Sequence, residues 1–254
     1  MPRPREEPAG PVASTSAAGA PEHAESAATL NARGLRCKAA AQYDEGRALY
    51  QRALSLLERA PVPDRNDVAT IYHNLGGIEH ARGNYAAGEP FARRGLEIRT
   101  SLADADPLAV AADMVALAAI VDGQGRYDEA ESIYLEALRV YERSPLADPS
   151  DVAAALNDLG ALYAQRGLLD RSRDLLERAV TLKQRALGPR HPDVAVTLNN
   201  LALTCKRRGE LARAAALYAE AVDIFEIALG ADHPKTITCR ANAARCAAAR
   251  GTLG

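Results

Sequence analysis

The residues best equipped for chemistry in this chain are amides that return at a fixed interval. Asn31, Asn157 and Asn199 are separated by multiples of 42 residues, and Asn74, Asn200 and Asn242 form a second row on the same step. His73 and Val115 fill the first row between its asparagines, and Asp158 fills the second. A carboxamide both donates and accepts hydrogen bonds. Such rows could pair with the backbone of an extended peptide, or hold neighbouring segments of the chain together.

Other chemistry finds little support. His73 and His80 stand seven residues apart with no cysteine nearby, which is a poor metal site. The four cysteines, Cys37, Cys205, Cys239 and Cys246, form no C-x-x-C pair and fall where small core residues belong. GADHPKT, beginning at Gly230, lacks the second glycine of a phosphate-binding loop, and no strand precedes it. No nucleophile, base and orienting group can be assembled. The expectation is a chain without catalytic activity, metal or cofactor.

The elements that must position the amides follow from the same interval. Stepping by 42 from Tyr43 lands on Tyr85, Tyr127, Leu169, Leu211 and Leu253 without insertion or deletion. Two residues before these anchors stand Ala41, Gly83, Gly125, Gly167, Gly209 and Gly251. Small residues recur at Gly34, Gly76, Ala118, Gly160, Ala202 and Ala244. Within a unit, Val194, Leu198, Leu201, Ala202 and Cys205 are spaced three and four apart, which predicts one apolar helix face. Ala214, Leu217, Tyr218, Ala221 and Phe225 predict a second, with Gly209 at the turn between them. Each unit therefore reads as a helical hairpin. Pro192 and Pro234 fit the first turn of a helix, where a missing N–H costs nothing, with His191 and His233 at the cap. Asp106-Pro107 and Asp148-Pro149 do the same one residue earlier.

The wording of these hairpins, LNDLGALYAQRG and LNNLALTCKRRG followed by an Ala-rich second helix and LG-x-x-HP, resembles the tetratricopeptide repeats of kinesin light chains. The ordinary tetratricopeptide unit is about 34 residues; the longer unit here adds to the second helix and connector. HEAT-type repeats also approach this length, but the glycine-x-aromatic hinge and spaced alanines favour the tetratricopeptide class. The resemblance implies an all-α, right-handed α-solenoid of five helix-turn-helix repeats plus a C-terminal capping helix, over residues 26–254. It also implies that first helices line a concave groove faced by Asn31, His73, Asn74, Val115, Asn157, Asp158, Asn199, Asn200 and Asn242. Lys206 and Arg207 lie near the groove's C-terminal end, where an acidic segment is one expectation and ordinary helix-end charge is the other. The third unit, with Val115, Ala116 and Ala119, offers an apolar inner face. The long heptad coiled coil of a kinesin light chain is not among these 254 residues, so attachment to a motor is not expected.

Composition narrows the partners. The formal charge is −2, and it falls within residues 1–25, so no basic surface favours nucleic acid. Those residues, rich in Pro, Ala, Ser and Glu, read as a disordered tail without a secretory leader. No apolar run is long enough for a membrane span. The expected role is a cytoplasmic scaffold or adaptor that binds a protein or peptide partner. The alternative is an architectural subunit that self-associates, or docks by its convex or end surfaces.

Overall fold

The computed structural model describes residues 25–251. Among them eleven α-helices follow one another and no strand occurs. The first helices of the hairpins are α1 (Ala27–Ala39), α3 (Arg65–Ala81), α5 (Pro107–Gly123), α7 (Pro149–Gln165) and α9 (Pro192–Arg207). The second helices are α2 (Tyr43–Glu58), α4 (Tyr85–Thr100), α6 (Tyr127–Arg143), α8 (Leu169–Leu187) and α10 (Leu211–Leu229). The closing helix is α11 (Pro234–Gly251). Every second helix begins on one of the 42-residue anchors.

The hinge sets that register. Gly83, Gly125, Gly167 and Gly209 take φ between 74° and 84°, a left-handed conformation that glycine adopts without penalty. The next residue then donates its N–H back over the turn, as Leu168 does to Tyr163 O (2.9 Å) and Glu210 to Cys205 O (2.9 Å). In the first hairpin the same turn is made by Ala41, at φ 58°. The far end of each hairpin is closed differently. Gly188 and Gly230, at φ 89° and 90°, end α8 and α10. The imidazoles of His191 and His233 accept from the N–H groups of Asp193 and Lys235, both at 3.2 Å, and so cap α9 and α11. Asp64, Asp106 and Asp148 cap α3, α5 and α7 with carboxylate oxygens.

Within hairpins the small-residue row of each first helix faces the large-residue row of its second helix. A Cβ added at Gly34 would sit 2.4 Å from the Tyr50 ring, and one at Gly160 would sit 2.8 Å from Leu176. In the second hairpin both sides are small: Gly76 faces Ala92, and a Cβ at Gly95 would press on Ala69 O at 3.1 Å. Gly88 and Gly95, which break the alanine pattern of the other second helices, are therefore buried sites of close helix approach. Buried apolar side chains form one cluster across α4–α8 and another from α8 to α11. Each first helix from α1 to α9 touches the next first helix, whereas no two second helices touch. First helices thus crowd one face, and second helices are spread on the other.

Between hairpins, arginines just past the first helices reach back to the start of the preceding second helix. Arg82 pairs with Asp44, Arg166 with Asp128 (2.8 Å), and Arg208 with Asp170. In the third unit both partners of this pair are replaced, by Gln124 and Ala86, and Gln124 and Arg126 bind Glu89 instead, each at 2.8 Å.

Two readings of the sequence change here. Glu25, assigned to the tail, binds Arg33 and Arg52; residues 1–24 lie outside the described residues, as do 252–254. Thr236, expected on the polar outer side of α11, is fully buried because its hydroxyl donates to the free Gly230 carbonyl at 2.8 Å.

Candidate functional site

The two amide rows meet each other across the first helices. Asn74 Nδ2 donates to Asn31 Oδ1 at 2.8 Å, Asn200 to Asn157 at 3.1 Å, and Asn242 to Asn199 at 2.9 Å. Each link spans 43 residues, one more than the repeat, because it joins the first row of one unit to the second row of the next. Asn74 and Asn157 are buried, and the other four are half-buried. Asn199 Nδ2 and Asn200 Oδ1 keep hydrogen-bonding capacity that no described residue uses.

The ladder breaks in the middle. His73 turns to Asp113, with Nδ1 2.8 Å from the carboxylate. Val115 packs against the core cluster. Asp158 accepts from Asn157 at 3.0 Å, and burial raises its pKa. Arg207 donates to the Ala164 carbonyl at the end of α7, and Lys206 stays half-buried.

The break holds a buried charge group that the sequence reading missed. Arg99 donates from Nε to Asp113 Oδ2 at 2.6 Å, and its other nitrogens reach Thr70 Oγ1 (3.2 Å) and Asn66 Oδ1 (3.4 Å). Asp113 and Arg99 are 3% and 7% exposed, so each charge depends on the other. The signal was present as one Asp inside the apolar run LAVAADMVALAAIV.

Further titratable groups line the first helices. Burial lowers the Lys38 pKa, and the Lys38 amine lies over Gly77. Burial and Lys38 together lower that of His80, whose ring meets Tyr85 edge-on. Burial and the neighbouring Asp158 push Asp122 up to about 6. A cleft of about 280 Å³ opens near the C-terminal end, where Asn199 meets Val196, Phe225, Lys235 and Cys239. Among the described residues no three His, Cys, Asp or Glu side chains gather as a metal site, and no helix is long and apolar enough to cross a membrane. All four cysteines are buried free thiols.

The family model described as Tetratricopeptide repeat matches residues 25–101, 67–143 and 151–227, most of the chain. This chain is a tetratricopeptide repeat protein. It is of the kinesin light chain-like type. BtubC (BKLC) from P. vanneervenii is 25% identical, with 82% of each chain covered and a TM-score of 0.64. A kinesin light chain of nearly identical TPR-like repeats from Podosopora anserina superposes with a TM-score of 0.61 at 16% identity, over 81% of this chain and 98% of that one. The Rap conjugation gene regulator of plasmid pLS20, solved in complex with the Phr* peptide, gives a TM-score of 0.72 at 15% identity. That match covers 84% of this tetratricopeptide repeat protein and 56% of the regulator. No curated protein sequence matches the chain.

Proposed function

We propose that this protein is a non-catalytic scaffold that binds an extended segment of a partner protein along the face built by α3, α5, α7 and α9. The observation that carries the reading is that first helices alone crowd this face, while polar atoms on it, such as Asn199 Nδ2 and Asn200 Oδ1, remain unspent. An extended segment carries unpaired backbone N–H and C=O groups that amides match. The fold is one in which Rap and NprR proteins have been solved with peptides. The groove residues of this reading are Asn31, His73, Asn74, Val115, Asn157, Asp158, Asn199, Asn200, Asn242, Lys206 and Arg207. A cytoplasmic location belongs to the same proposal, supported by the four free thiols.

Peptides selected from a random decapeptide library on the immobilised protein test the reading. Asn199→Arg with Lys206→Glu should weaken the selected peptides at least tenfold, and Arg178→Ala with Glu142→Ala, on the second helices, should leave them unchanged. The opposite pattern would move the binding surface to the outer face.

A further inference from the structure

The amide ladder stops where α5, α6 and α7 meet, and the groups there are of one kind. Asp122 on α5 has its Oδ1 shut off from solvent without a hydrogen-bond partner. Asp158 on α7 accepts only from the Asn157 amide. Tyr134 on α6 is 1% exposed, its hydroxyl has no hydrogen-bond partner among the described residues, and both carboxylates act on it. Neither carboxylate has a Lys or Arg within ion-pair distance among the described residues; Lys183 on α8 acts on Asp158 from farther away and donates to Asp193 O instead.

This arrangement is costly for the protein alone. Two carboxylates that raise each other's pKa, beside a hydroxyl deprived of water, are held apart from every countercharge. A buried polar atom without a partner loses its hydration and gains nothing in return. An incoming ammonium or guanidinium would correct both deficits at once. It would give each carboxylate a countercharge, and it would bring N–H donors to Asp122 Oδ1 and the Tyr134 oxygen.

We propose that the α5–α6–α7 junction is a recognition point for one Lys or Arg side chain of the bound segment, held by Asp122, Asp158 and the Tyr134 hydroxyl. The inference rests on the groove reading above and adds to it the chemistry of the central ligand residue. The flanking groups agree with it. Lys38 lies on α1 toward one end of the groove, and Lys206 and Arg207 lie toward the other, so the cationic groups bracket an anionic centre. A segment with a basic residue in the middle is thereby fixed in register, since sliding it by one unit moves its cation toward like charge.

The test is selection from a random decapeptide library on the wild-type protein and on Asp122→Asn with Asp158→Asn. Wild type should enrich peptides with a Lys or Arg at one position. Replacing that residue by Gln in a selected peptide should weaken binding about tenfold or more, the loss expected for a charge-assisted hydrogen bond. In the double variant, with helicity checked by circular dichroism, the Lys or Arg and Gln forms should bind within about twofold of each other. Selected peptides without a basic bias, or a basic bias that persists in the double variant, would overturn the inference and leave the groove reading standing. A wild-type protein that selects no peptide would overturn the groove reading, and this inference with it. Tyr134→Phe serves as a second variant: it keeps the packed ring and removes only the hydroxyl, so it should weaken the basic peptide more than its Gln form. An equal effect on both would remove Tyr134 from the site.

Discussion

Ala41 is the residue at which the repeat departs from its own rule. Four later hinges place glycine in the left-handed region, and this one holds a side chain there at φ 58°. The conformation costs an L residue roughly 1–2 kcal/mol, partly offset because glycine is freer in the unfolded chain. Ala41→Gly should therefore raise stability by about 0.5–1 kcal/mol in urea unfolding; a loss would mean that the first hinge is not strained. Asn157 carries the second residue-scale prediction. From the sequence it reads as a groove amide off the apolar stripe, whose removal costs little. In the structure it is buried, donates to Asp158 and accepts from Asn200. Asn157→Ala should cost about 1–3 kcal/mol by leaving those partners unsatisfied, whereas Asn199→Ala, which loses one half-buried bond, should cost about 1 kcal/mol or less. Equal losses from thermal or urea unfolding would contradict this division. The amide–amide pairing was hidden because it runs on a 43-residue link, and only the pitch between neighbouring helices shows which residues of the two rows meet.

At the scale of elements, most of the hairpin was legible. A hinge glycine and the small row facing the large row act through excluded volume, which residue type alone reports. Gly34 against Tyr50 is the clearest case. The Arg99–Asp113 pair was not legible, because its members lie on different helices and leave no periodic trace. Their counterparts one unit earlier, Leu57 and Ile71, are apolar. Removing one partner strands a buried charge, so Asp113→Ala should cost about 3–5 kcal/mol. The double change Arg99→Leu with Asp113→Ile copies the preceding unit and should recover most of that loss, since replacing both partners of a buried pair by apolar residues is often neutral or better. A double variant no more stable than Asp113→Ala would show that the pair does more than fill its site, for instance by holding His73 in place.

On the whole-molecule scale the solenoid is an open stack, and its last hairpin depends on α11. Cys239 and Cys246 of that helix are buried against α9 and α10, and the Cys246 thiol lies 3.7 Å from Leu211 O. Truncation after Gly230 removes this cover and exposes Phe225, Ile224 and Cys205. The truncated protein should associate or lose stability, as solenoids without caps do, and sedimentation should show it; a stable monomer would mean that α11 is not a cap. The most direct test of the groove itself is a photocrosslink. A benzoylphenylalanine placed at Ala116, on α5, should capture a selected, biotinylated decapeptide, and the same group at Arg178, on α8, should not. Capture at Arg178 with none at Ala116 would place the ligand on the second helices and contradict the account.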